Sequence, residues 1–93
     1  MARVFNTTIE RSADLKVFMA AKATDADLLF YKVVREKDAR GDLFWFFAEN
    51  EKDAKTKLFW VDKERDAELR VFQVHKETEA AWRTGHKWRE RLG

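Results

Sequence analysis

Lys57-Leu58-Phe59-Trp60-Val61-Asp62, followed by Lys63-Glu64-Arg65-Asp66-Ala67, is the stretch on which the fold turns. Aromatic and β-branched residues at the centre of the first segment favour a pleated strand. In a strand Phe59 and Val61 point to one side, Leu58 and Trp60 to the other. Both sides are apolar, so the strand is expected to be covered on both. Residues 63–66 are all charged, have nothing to bury, and read as a solvated connection. Ala67 follows where the chain re-enters the packed body, its small side chain letting backbones approach closely. Leu69 re-anchors the chain two residues later.

Moving outward from this unit, the same pattern recurs. Ala13, Ala26, Ala39, Ala54, Ala67 and Ala80 are spaced 13, 13, 15, 13 and 13 residues apart. Eight residues before each alanine stands an aromatic: Phe5, Phe18, Tyr31, Phe46, Phe59 and Phe72. Before each aromatic stands an apolar residue: Val4, Val17, Phe30, Trp45, Leu58 and Val71. Three residues before the alanine come Glu10, Ala23, Glu36, Glu51, Glu64 and Glu77. A repeat of this kind is architectural, each unit needing its neighbours to bury its apolar faces. The aromatic and alanine rows are taken as the repeat core.

Runs such as Leu43-Phe44-Trp45-Phe46-Phe47 lack the 3.6-residue period and are too short for a buried helix. The reading is therefore mainly β: six strand-turn units of about thirteen residues, with strands near 3–7, 16–21, 29–34, 43–48, 57–62 and 70–75. The turns are expected to hold single helical turns, the Asp or Ser before each alanine resembling a cap. Gly41 and Asp42 lengthen the middle connection. A shift of 41 residues superposes Phe5 on Phe46, Phe18 on Phe59 and Tyr31 on Phe72, which suggests two pseudo-twofold halves of three units. A short C-terminal helix or tail closes the chain. An edge left open at unit one or six would support dimerisation, so a monomer or weak homodimer is expected.

The 93 residues suit a single domain, 1–93, and 45% hydrophobic content with eight Phe and four Trp allows a dense core. There is no cysteine, which excludes disulfides, thiolate metal sites and cysteine catalysis. No apolar run approaches the roughly 20 residues of a membrane helix, and the first residues lack the apolar core of a signal peptide. A soluble cytoplasmic location without a membrane is expected. The net charge of +2 lies in the tail: residues 1–77 carry 15 basic and 15 acidic side chains, residues 78–93 four and two.

Lys16-Val17-Phe18, Ala26-Asp27-Leu28, Gly41-Asp42-Leu43-Phe44-Trp45-Phe46-Phe47 and Ala80-Ala81-Trp82-Arg83 resemble the septoil-knot domain family, small bacterial domains of repeated strand-and-turn units. The resemblance covers nearly the whole chain and departs from it at Asn6-Thr7-Thr8 and Ala20-Ala21, which are less apolar or less bulky. It implies a backbone wound into a deep seven-crossing torus knot. It brings no established catalytic residue or cofactor.

The carboxylate rows Glu36/Glu51/Glu64/Glu77 and Asp38/Asp53/Asp66 alternate with Lys37, Lys52 and Arg65, as solvated turns do, which outweighs acid–base or calcium readings. His75 and His86, eleven residues apart, are a poor match to a zinc site, and His75 is expected to be exposed. Phosphate loops, a serine-hydrolase elbow and zincin motifs are absent. No catalytic residue, cofactor or metal is assigned. The one segment outside the repeat is the basic, Trp-bearing tail. Trp82, Arg83, His86, Lys87, Trp88, Arg89 and Arg91 form a candidate partner or anion site, because aromatic and basic groups together stack on bases and contact phosphates. Against this, Trp82 stands where the repeat has leucine and would simply pack. The leading expectation is a non-enzymatic domain of unknown partner that resists unfolding. Weak nucleic-acid or anion binding through the tail is the alternative. A small metal-binding protein or enzyme using the carboxylates with His75 or His86 comes third.

Overall fold

The computed structural model describes residues 2–86, 89 and 92. Six strands alternate with six one-turn 3-10 helices, each strand supplied by the apolar segment of one repeat. The strands are β1 (Ala2–Asn6), β2 (Leu15–Met19), β3 (Leu28–Lys32), β4 (Phe44–Phe47), β5 (Thr56–Trp60) and β6 (Leu69–Val74). A seventh, β7 (Ala81–Trp82), lies beyond the expected six. Five of the six repeat strands begin one residue earlier than expected and β4 one later. In four units the residue after the alanine (Asp14, Asp27, Lys55 or Glu68) already bonds the neighbouring strand, as Asp14 N–H does to the Lys57 carbonyl at 2.8 Å.

All six repeat strands pair in parallel, in the ring order β4-β1-β5-β2-β6-β3, and β3 pairs back onto β4. β7 pairs antiparallel with the start of β3 and so stands between β3 and β4. On this seven-stranded ring every unit carries the chain two places on. Steps of two around seven stations make the winding of a torus curve with seven crossings. The connections cross over the strands they skip. The turn Glu64–Asp66, between β5 and β6, lies on β2; Ala23–Asp25, between β2 and β3, lies on β6; Glu77–Glu79, between β6 and β7, lies on β3. Parallel strands need both faces covered, and here the crossovers supply the outer cover.

Closure corrects two expectations. Units one and six have no open edge: β1 sits between β4 and β5, β6 between β2 and β3. The acid or serine before each alanine is the last residue of its 3-10 turn rather than an N-cap. Its N–H donates to the residue three back, as Asp66 does to the Lys63 carbonyl at 3.0 Å, and no turn has a side-chain cap bond. Alanine closes the turn, Ala67 N–H donating to the Glu64 carbonyl at 3.1 Å.

The core is also built from a different row than the conspicuous one. Phe5, Phe18, Tyr31, Phe46, Phe59 and Phe72 are only half-buried. The period of two turns them outward, and the residue before each fills the ring: Val4, Val17, Phe30, Trp45, Leu58 and Val71 are fully buried. Ala2, Leu15, Leu28 and Leu69 form a second inward layer. Phe30 and Trp45 stack across the β3–β4 junction at 4.2 Å and 14°, with Phe47 edge-on to both. In the alanine row Ala26 and Ala39 are buried, while Ala13, Ala54, Ala67 and Ala80 are half-buried.

Candidate functional site

The repeat breaks at two places in sequence, the Gly41-Asp42 insertion and the tail, and the structure brings them together. In a regular junction the residue after the alanine lies against the next strand. Glu68 N–H donates to the Lys16 carbonyl at 2.8 Å and its carboxylate accepts the Lys16 N–H at 3.1 Å. Asp14 with Lys57 and Asp27 with Arg70 make the same reciprocal pair. At the β3–β4 junction the equivalent place, opposite Leu29, is taken by Ala81 of β7. The insertion lets the lead-in to β4 swing aside, with Gly41 at φ +60°, a left-handed conformation that suits glycine.

Asp42 then holds the tail. It is 7% exposed; its Oδ2 accepts the Trp82 indole N–H at 3.1 Å and its Oδ1 the Leu92 N–H at 2.9 Å. Its backbone carbonyl accepts the Trp45 indole N–H at 2.6 Å. Leu92 is fully buried in the core cluster and Trp82 packs against it. A second node lies on the other side of β7. Asp27 accepts Arg70 Nη2–H at 2.8 Å and Nε–H at 3.3 Å, and the Thr84 hydroxyl at 3.2 Å, while its carbonyl accepts the Arg83 N–H at 2.8 Å. Burial pushes the Asp27 carboxyl up. The side-chain and backbone hydrogen bonds from Arg70, its positive charge and Thr84 outweigh that and hold the carboxyl below its ordinary value of 3.8.

Of the tail residues singled out from sequence, Trp82 is half-buried and stacks on His86 at 6.0 Å and 20°. His86 donates from Nε2 to the Glu68 carbonyl at 2.8 Å. Arg83 and Arg89 are exposed. Lys87, Trp88 and Arg91 lie outside the described residues. The described part of the tail is β7 and a turn closed by Arg89 N–H on the His86 carbonyl at 3.0 Å. One face of the Trp82 ring is thus engaged within the protein, by His86. Asp27 and Asp42 were not singled out, although Asp14, Asp27 and Glu68 share one repeat position and Asp42 stands in the only insertion.

In three units the carboxylate three before the alanine pairs with a basic residue on the outer strand face: Glu10 with Lys16 at 3.5 Å, Glu51 with Lys57 at 3.2 Å and Glu64 with Arg70 at 3.7 Å. In unit two both places are apolar, Ala23 and Leu29. In unit three the insertion displaces the partner, and Glu36 pairs instead with Arg3 at 2.8 Å. Glu10, Glu36, Glu51 and Glu64 are thus engaged in surface pairs, as is Asp38 with Arg35 at 3.9 Å. His75 is exposed, and no group of three metal-ligating side chains occurs among the described residues. Two open surface grooves, of about 600 and 540 Å³, run beside Trp60 and beside Asp27 and His86. Both mix acids and bases, and no helix among the described residues is long and apolar enough to cross a membrane.

A closed ring of parallel strands, wound two stations at a time with crossovers lying over skipped strands, defines a knotted repeat domain. The chain belongs to the 7(1) septoil knot domain family, whose model matches residues 1–83. No curated protein and no solved structure matches the chain.

Proposed function

We propose that the protein serves as a non-enzymatic, kinetically resistant interaction module, and that its fold supplies persistence rather than chemistry. The observation that carries this reading is the winding itself: crossovers lie over the strands they skip, so the ring opens only by moving several units together. Practical stability is then a rate rather than an equilibrium quantity. The half-buried aromatic belt and the paired charged turns offer a partner a surface of fixed shape. The cysteine-free composition suits a reducing cytoplasm.

The test is unfolding by a denaturant jump, together with digestion by a protease that pulls its substrate from one end. The expected result is an unfolding rate below about 10⁻⁵ s⁻¹ extrapolated to water, at the slow end for small domains, and stalled digestion. Fast two-state unfolding on the millisecond scale would overturn the reading.

A further inference from the structure

We infer that β7 and Leu92 form a latch that closes the ring at the β3–β4 junction, and that release of this latch from Asp42 is the first opening step of the domain. Three observations converge on it. The direct pairing of β3 with β4 is the shortest among the repeat strands, joining only Tyr31 to Phe44 and Lys32 to Trp45. The start of β3 instead faces β7, a two-residue strand running against the six others. One carboxylate, on the insertion that leads into β4, receives both the Trp82 indole and the Leu92 backbone N–H. The latch therefore joins β3, through strand pairing, to the lead-in of β4, through Asp42. Leu92 seals it from inside the core.

Local openings expose parts of a protein at lower free energy than global unfolding, and they begin where few buried contacts must break. Elsewhere in the ring a strand leaves only by disturbing a crossover laid upon it. At the latch the segment to be moved is a two-residue strand held by one strand pairing and one carboxylate. Losing β7 exposes the start of the β3 edge and removes Trp82 from the core cluster it packs against. Winding back from that point is the route by which the knot comes undone. Residues 84–93 lie beyond the stretch that the family model matches.

Native-state hydrogen exchange on the full chain tests this, comparing the parent with Asp42→Asn. Asparagine keeps the size of the side chain but turns one acceptor into a donor, so one of the two tail bonds is lost. Amides that report on the latch are Tyr31, donating to the Leu43 carbonyl, Val33, donating to Trp45, and Arg83, donating to Asp27. Amides across the ring are Thr7, donating to Leu58, Asp14, donating to Lys57, and Val61, donating to Val17. The first set should exchange roughly 10- to 100-fold faster in Asp42→Asn while the second set stays unchanged, as expected for one hydrogen bond to a charged group. Equal acceleration of both sets, or none, would overturn the latch. Should Asp42→Asn fail to fold, Leu92→Ala decides by the same pattern, the first set accelerating more than the second. The readout is local, so it is independent of the global unfolding rate that tests the proposed function.

Discussion

Asp27 shows at the scale of one residue what the repeat does with charge. Its carboxylate is buried and holds Arg70 and Thr84, whereas most acids of the chain sit in exposed turns. A carboxyl whose folded pKa is depressed stabilises the protein above its unfolded value and stops doing so as pH falls through the folded value. Asp27→Asn should therefore cost about 1–2 kcal/mol at pH 6, discounted because the Arg70 side chain remains 40% exposed. The gap between parent and variant should close as pH is lowered from about 4 towards 2. Denaturant midpoints measured across that range check it. A constant gap would mean that Asp27 acts through packing alone. The sequence marked Asp27 only as part of a family-like segment. A carboxylate in a charge-rich chain gains meaning from its burial, and burial depends on which strand the winding places beside it.

Among the elements, the middle connection explains its own length. The 15-residue spacing arises where the chain must leave room for the end of the sixth unit to enter between β3 and β4. Gly41 provides the swing. A Cβ added there would meet nothing within 4 Å, so the cost of Gly41→Ala is conformational. It should amount to about 1 kcal/mol, with Gly41→Asn recovering part of it. Equilibrium unfolding of the two variants gives the comparison, and equal stability of alanine and glycine would show that the turn tolerates another conformation. Strands and turns were legible in sequence to within two residues, because a period of two and a run of charges are local signals. Which apolar row faces inward was less plain. Both rows are apolar, and the outer aromatics Phe18, Phe59 and Phe72 are larger than their buried neighbours Val17, Leu58 and Val71. Ring closure chose the smaller residues for most of the interior and left the rings outside, half-covered by the crossovers.

For the whole molecule the winding makes folding depend on history. Every strand pairs with strands of the other half of the chain, so almost no pairing is local, and such folds form slowly. Denaturant loosens the backbone without requiring it to unthread. A chain diluted from denaturant should therefore regain protease resistance faster than one freshly made by cell-free synthesis, which must thread as well as fold. Pulse proteolysis of both preparations measures the two rates. Identical rates would show that the knot is lost on denaturation or tied without delay.

The sequence by itself determined the strand-and-turn units, their six-fold recurrence, the odd spacing in the middle and the resemblance to a knotted family, since each is written in neighbouring residues. Only the tertiary structure decided that the ring closes, that the tail completes it as a seventh station, and that Asp42 and Leu92 meet across fifty residues of chain. Contacts of that kind arise from winding: the partner of each residue is set by how far each unit advances around the ring, a distance no single unit encodes.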